Sequence, residues 1–305
     1  VRVALLAGGV GGARMALTLH EALAPGELTV IGNVGDDCEH WGLSISPDLD
    51  TVLYTLTGRI DPVNGWGVAG DTRNLMETAI ELGEDDWFIL GDRDVALHVA
   101  RTRRLRAGET LSSITADVAR RWECATQLVP ATDDRLRTWI ATDDAELPFQ
   151  EWLVRRRAAD AVAGVRFEGI EAATPAPGVL EAIAAADRIV LAPSNPFVSL
   201  DPILGVAGVR DAVIARRDDV VAVSPVIGGK AVKGPLVEML DSMGHRPDAI
   251  GVARYLRELA GVYVLDPADE ALAGELDALA MRAVVVPTLM KDPVVRAGLA
   301  AAVLA

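Results

Sequence analysis

Four glycines lie within Gly8-Gly9-Val10-Gly11-Gly12, directly after the apolar run Val3 to Ala7 and before Ala13-Arg14 and a helical pattern. A strand followed by glycines and a helix start lets backbone amides approach an anion closely, so this segment is a candidate phosphate cradle. The same residues also satisfy a plain strand-to-helix turn, and the other polar loops must decide between the two readings. Asn33-Val34-Gly35-Asp36-Asp37 follows the second apolar run and places two carboxylates where an Asx turn would also fit. Ser46-Pro47-Asp48-Leu49-Asp50-Thr51 puts two more on the first turn of a helix that Ser46 or Asp48 is able to cap. Capping explains one of these aspartates, and the second is a candidate to bind a divalent ion or to deprotonate a hydroxyl. Oxygen-only donors of this kind suit Mg²⁺, so Asp48 and Asp50 are the candidate catalytic and metal pair, with Asp36 and Asp37 in reserve.

Further along, Leu90-Gly91-Asp92-Arg93-Asp94 opens a helix, and its alternating charges fit either a solvated ion-pair face or an arginine gripping ligand oxygens. Ala192-Pro193-Ser194-Asn195-Pro196 comes straight after another apolar run, with side chains able to bind a phosphate or a purine edge unless the prolines merely make a rigid turn. Ser224-Pro225-Val226-Ile227-Gly228-Gly229-Lys230, then Lys233, forms a second glycine loop holding two of the three lysines. A lysine there supplies a point charge for phosphate. His20, His40, His98 and His245 are scattered, and no serine or cysteine triad is evident. Trp66 and Trp87 are candidates to stack on a planar ligand, although tryptophan is more often core.

These loops need a scaffold that brings strand ends together. Apolar runs recur at Val3 to Ala7, Leu28 to Ile31, Ile189 to Ala192, Val220 to Val223, Val262 to Leu265 and Val284 to Val286, with helical patterns between many of them. That alternation predicts an α/β, Rossmann-like fold: a mostly parallel sheet with helices on both faces. Residues 48–122 lack strand signal and read as four helices, Asp48 to Leu56, Thr72 to Leu82, Asp94 to Leu105 and Leu111 to Trp122, a helical lid insertion over the site. Residues 1–47 and 123–305 then make the core. Within the core, Leu136 to Ile140 and Phe149 to Leu153 flank Asp143-Asp144-Ala145-Glu146 as a β-hairpin spanning 136–154.

Composition narrows the function classes. The 305 residues are half hydrophobic, enough for a large core, and the net charge of −15 opposes an extended footprint on nucleic acid or an anionic membrane. No apolar run is long enough to span a bilayer, and no basic segment precedes the first one, so a cytoplasmic location is expected. Cys38 and Cys124 show no metal-ligand spacing and read as free thiols.

Taken in their fixed order, the glycine loop through Arg14, Asn33 to Asp37, Pro47 to Leu53, Leu90 to Asp94, Phe149 to Trp152, Pro193 to Pro196 and Ser224 to Lys230 closely resemble one family across the whole chain. It is the family of 2-phospho-L-lactate transferases, with its phosphoenolpyruvate-using members, which build the deazaflavin coenzyme F420. The resemblance implies a homodimer. The implied reaction is attack by the terminal ribityl hydroxyl of the 7,8-didemethyl-8-hydroxy-5-deazariboflavin precursor on guanylylated phospholactate or phosphoenolpyruvate, with GMP leaving. It also implies that Asp50 and Arg93 contact the deazaflavin. The guanosine diphosphate portion falls to Gly8, Gly9, Gly11, Gly12 and Arg14 and to Ser194 and Asn195, and Asn33, Gly228, Gly229 and Lys230 join this phosphate and nucleotide set. Arg14 stands where the family often has lysine, which keeps the charge and alters the geometry.

Such a transfer needs positioning, Mg²⁺ and charge neutralisation, with Arg93, Lys230 and Lys233 supplying positive charge, rather than a covalent nucleophile. Two other classes compete. A non-enzymatic nucleotide-sugar-binding regulator needs the phosphate loops but not the Asp48/Asp50 and Arg93 motifs. A nicotinamide-dependent oxidoreductase is opposed by glycine spacing: G-x-G-x-x-G counted from Gly9 meets Arg14, and counted from Gly8 it meets Val10.

Overall fold

A computed structural model describes residues 1–305. The central sheet has seven strands: β1 (Val3–Ala7), β2 (Leu28–Gly32), β3 (Gln127–Pro130), β4 (Arg188–Leu191), β5 (Val220–Val223), β6 (Val262–Leu265) and β7 (Arg282–Val285). Every pairing between them is parallel, in the spatial order β7-β6-β5-β4-β1-β2-β3. This confirms the expected Rossmann-like α/β class. The apolar runs buried on both faces read as continuous hydrophobic stretches, as parallel strands should. Two edge strands depart from it: β3, where Gln127 and Pro130 bracket just two apolar residues, Leu128 and Val129, and β7, which is only partly buried.

Chain order reverses between β1 and β4. At such a switch point the loops leaving two neighbouring strands diverge to opposite sides and open a crevice at the carboxyl edge. Ser194 closes the base of that crevice: its Oγ donates to the Gly8 carbonyl at 2.7 Å, joining the loop after β4 to the loop after β1.

Helix α1 (Gly9–Ala22) starts at once after Gly8, which lies in extended backbone and has no side chain to cap the helix itself. Two of its glycines are there for close approach. A Cβ on Gly11 would come within 2.2 Å of the Pro193 carbonyl oxygen, and one on Gly12 within 3.0 Å of the Ala7 Cβ. Helix α2 (Pro47–Leu56) packs on α1, and its Leu49, Val52, Leu53 and Leu56 share one core cluster with Val3, Leu5 and Val30 of the sheet.

The remaining helices of the 48–122 segment are α3 (Asn74–Glu81), α4 (Asp92–Arg106) and α5 (Leu111–Arg121), matching the four predicted helical stretches to within two residues. Leu111 and Ala119 of α5 join the same core cluster as α2. From this segment the start of α2, at Pro47, Asp48 and Thr51, and the loop residues 63–66 and 88–89 line the crevice, the latter as an outer wall facing the glycine loop.

The expected hairpin arms differ in detail. The second arm is Glu146–Pro148, paired antiparallel to Arg137–Ala141, and a third strand, Gly164–Glu168, completes the small sheet. Of the expected arm Phe149 to Leu153, the last three residues instead begin a single π-helical turn, Glu151–Arg155. Trp152 explains this: its indole N–H donates to the Asp160 carbonyl at 3.0 Å while the ring is buried against Phe149, which needs a helical turn rather than alternation.

The contact of Gly11 with Pro193 yields a first expectation. Gly11→Ala forces α1 away from the β4 loop, an overpacking that should lower unfolding free energy by about 1–3 kcal/mol in urea titrations. A variant as stable as the parent would mean that the two loops do not meet as described.

Candidate active site

The crevice is a cleft of about 720 Å³, within the range of small-molecule sites. Its floor is made from strand ends: Gly8, Gly9 and Gly11 after β1, Asp36 after β2, Pro193, Ser194 and Asn195 after β4, and Ser224 and Pro225 after β5. Thus the glycine loop, Arg14, Asp36, Asp48, Ser194 and Asn195 converge as the sequence suggested.

The two carboxylates that meet are Asp36 and Asp48, not Asp48 and Asp50. Positions two apart on a helix point in opposing directions, so the pair predicted on the first turn of α2 is split by helical geometry. Asp48 turns to the cleft floor and takes hydrogen bonds from the Gly9 amide and from Asn33 Nδ2, the latter at 3.0 Å. Asn33 Nδ2 also lies 3.4 Å from Asp36 Oδ1 and 3.2 Å from the Val198 carbonyl, while Asn33 Oδ1 accepts the Gly35 amide at 2.8 Å. Expected among the phosphate ligands, Asn33 is buried and its carboxamide is engaged with protein partners. Gln150 Nε2 donates to the Asp36 carbonyl at 3.1 Å and steadies the same loop.

Burial first, and then the charge of Asp48, hold the Asp36 carboxyl well above the usual carboxylate range. Burial also raises Asp48, against the hydrogen bonds from Asn33 and Gly9. Asp37 is pushed up to about 7 by burial, and Ser46 Oγ donates to it at 2.8 Å instead of capping α2. Two buried carboxylates that resist joint ionisation are a donor set a divalent cation would neutralise, so the residues present fit Mg²⁺ at Asp36 and Asp48.

Asp50 faces the other way. It forms a buried bidentate pair with Arg101 of α4, a residue to which no sequence motif pointed, and lies 3.7 Å from His98 Nδ1. His98 Nε2 is in turn 3.8 Å from Asp94, which accepts the Tyr54 hydroxyl at 2.5 Å. Arg93 is exposed at the start of α4 and outside the cleft lining; its backbone amide donates to Asp71 at 3.0 Å, so Asp71 caps this helix. Asp92 reciprocates by accepting the Leu75 amide of α3 at 2.9 Å, which accounts for the carboxylate at that position.

Gly228 and Gly229 are the turn of a small hairpin between Val226–Ile227 and Lys230–Ala231, with φ of 57° and 72°. Two consecutive positive φ values are what a tight two-residue hairpin demands, so geometry rather than a ligand suffices to require both glycines. Neither they nor the exposed Lys230 line the cleft, whereas Lys233, just beyond, does.

Lys233 and Arg14 stand close enough for the arginine's charge to lower the lysine's pKa, after burial as the larger cause. Neither forms a salt bridge, in a chain of net charge −15. Trp66 lines the outer wall, while Trp87 packs edge-on against Phe88. Thr288 and Lys291, after β7, also line the cleft; with no glycine or paired-charge motif around them, the sequence held no signal for either.

The network behind Asp50 has a testable pH behaviour. Burial lifts Asp94 to about 6 and drives His98 down to about 4. The raised Asp94 gives stability that is full below about pH 4 and lost as pH rises through about 6. The lowered His98 gives stability present above about pH 6.5 and lost as pH falls towards about 4. The two oppose each other, so each single variant should unmask the other. Relative to the parent, His98→Gln should gain stability on acidification and Asp94→Asn should lose it; identical slopes in urea titrations across pH 4–7 would refute the pairing.

Comparison with known proteins agrees with this construction. The family model described as 2-phospho-L-lactate transferase CofD matches residues 3–286. A phosphoenolpyruvate transferase of Streptomyces griseus is 42% identical over 298 residues, covering 96% of this chain and 94% of the relative. That of Thermobifida fusca is 42% identical over 317 residues, covering 99% and 96%, and that of Mycolicibacterium smegmatis 39% over 322, covering 98% of each. Two crystal structures from Bacillus halodurans, one described as a UPF0052 family member, superpose with TM-scores of 0.62 and 0.64 at 17% and 16% identity. They cover 93% and 100% of this chain, and 91% and 98% of their own, and at that identity they speak to the fold alone. With the strand-end loops, the carboxylate pair and a match over nearly the whole length in agreement, the chain belongs to the 2-phospho-L-lactate transferase CofD family and is a transferase.

Proposed function

We propose that this transferase moves a phosphoenolpyruvyl group from its guanosine diphosphate-linked donor to the terminal ribityl hydroxyl of the deazaflavin precursor, releasing GMP. Family membership carries the reaction class, phospholactyl or phosphoenolpyruvyl transfer in coenzyme F420 biosynthesis. The names of the relatives favour the phosphoenolpyruvyl donor over phospholactate. The observation carrying the site assignment is one cleft holding two unpaired cations, Arg14 and Lys233, together with the buried Asp36 and Asp48 pair.

In this reading the glycine loop at the start of α1, Arg14 and Lys233 bind the diphosphate. Ser194 and Asn195 border the nucleoside. The planar acceptor lies against the apolar wall of Trp66, Phe88 and Ile89. Asp36 and Asp48 would hold Mg²⁺, which when bound supplies charge neutralisation at the phosphoryl oxygens. The acceptor oxygen forms a new bond to the phosphorus bearing the enolpyruvyl group, the phosphorus bond to the GMP oxygen breaks, and the hydroxyl proton passes to an aspartate of the pair or to water. Arg14 and Lys233 offset the charge that collects on the leaving phosphate.

Direct contact of Asp50 and Arg93 with the acceptor remains part of the proposal. It requires Asp50 to part from Arg101 and Arg93 to swing in from the surface. A regulator without catalysis needs the cations but not the carboxylate pair, so turnover discriminates the readings. Incubation with the precursor, Mg²⁺ and each guanylylated acid should release GMP and coupled product in equal amounts with the phosphoenolpyruvyl donor. Asp48→Asn should lower kcat by about 10²–10⁴-fold while GDP still binds. Full turnover in that variant would remove Asp48 from the chemistry, and no GMP release by the parent would defeat the transferase assignment.

A further inference from the structure

Resting on that reading, a second role emerges for Lys233 from what its ammonium group touches. Residues 60–68 form a loop closed at its neck by a bridge between Ile60 and Val68 and by the Asp61 amide donating to the Gly67 carbonyl at 3.0 Å. The neck hangs on α2, where the Arg59 amide donates to the Tyr54 carbonyl at 2.7 Å. Within the loop, Asp61 Oδ1 accepts the Val63 and Asn64 amides at 2.8 and 2.9 Å. The tip has one hydrogen bond to the rest of the molecule: Lys233 Nζ donates to the Asn64 carbonyl at 2.7 Å from across the cleft. The tip also rests on the phosphate loop, since a Cβ on Gly65 (φ 73°) would lie 3.1 Å from Val10 Cγ1 and 3.7 Å from Lys233 Nζ.

An ammonium has three N–H donors, and one is spent on Asn64. The others are free to meet an anion beside Arg14, and the lysine has no carboxylate to satisfy it otherwise. We propose that Lys233 couples the two halves of the cleft: a donor phosphate bound between Arg14 and Lys233 fixes the ammonium, which fixes the Asn64 tip and with it the Trp66 wall that receives the acceptor. Without the phosphate, the tip is tied only to a long, solvent-exposed side chain. With it, the wall is ordered before the acceptor arrives, so the second ligand binds without bearing that ordering itself.

The coupling is reciprocal by thermodynamic necessity, and it is read as a change in affinity. The fluorescence anisotropy of the deazaflavin precursor is titrated with the full chain in Mg²⁺ buffer, with and without saturating GDP. The expected result is acceptor binding at least about fivefold tighter with GDP present, and an equal gain in GDP affinity with the precursor present. Lys233→Met should weaken GDP binding and, once GDP is raised to saturate the variant, show no shift in acceptor affinity. Gly65→Ala, strained at φ 73° and tight against Val10, disturbs the tip while keeping the lysine and should bind GDP and also lose the shift; it decides the matter should Lys233→Met not fold. An unchanged shift in Lys233→Met at saturating GDP, or parent protein that binds both ligands independently, would overturn the coupling. A parent that binds GDP but never the precursor would instead defeat the proposed function, and the coupling with it.

Discussion

Two carboxylates that repel one another sit side by side in a buried place, and the rest of the site is arranged around keeping them there. Asn33 is the device. Its amide nitrogen reaches toward Asp36, Asp48 and the Val198 carbonyl, and its oxygen holds the Gly35 amide. One side chain thereby ties together the end of β2, the start of α2 and the turn after β4. Hydrogen bonds to buried carboxylates are worth more than neutral ones and are costly to lose, so this residue fixes the relative positions of three elements.

The parallel sheet supplies the setting. Because all seven strands run one way, every loop that could carry a ligand group leaves the same edge, and the reversal between β1 and β4 leaves a gap there. The glycines after β1 are what allow the gap to be used: Gly8 has Asp48 Oδ2 within 2.6 Å of where its Cβ would be, and Gly11 has the Pro193 carbonyl oxygen nearer still, at 2.2 Å. Side chains at these positions would push the carboxylate and the proline loop out of register with the helix start. The anion-binding cations and the carboxylate pair can share one cleft only because the backbone between them is bare.

Much of this was legible from residue types and spacing. Continuous apolar runs gave six of the seven strands, and the absence of strand signal between 48 and 122 gave four helices. The glycine loop, Asp36, Asp48, Ser194 and Asn195 line one cleft because a parallel sheet brings its strand-end loops to one edge. What was not legible depends on side-chain direction or distant partners. Asp48 and Asp50 look equivalent in sequence, and only the turn of the helix separates them. Arg101, the partner that claims Asp50, lies fifty-one positions on, with no motif of its own. Gly228 and Gly229 resemble a phosphate loop because hairpin turns and anion cradles ask for the same residue. Lys291 and Thr288 reach the cleft through tertiary packing alone.

Charge in the cleft is divided between Asp36 with Asp48 on one side and Arg14 with Lys233 on the other. Crystals grown with GDP and Mn²⁺ in place of Mg²⁺ test it most directly, through the anomalous signal of the metal. The expected result is a manganese peak bounded by the Asp36 and Asp48 carboxylates, with the diphosphate reaching Arg14 and Lys233. A peak bounded by Asp48 and Asp50, with the Arg101 pair broken, or a diphosphate seated at Gly228, Gly229 and Lys230, would contradict it.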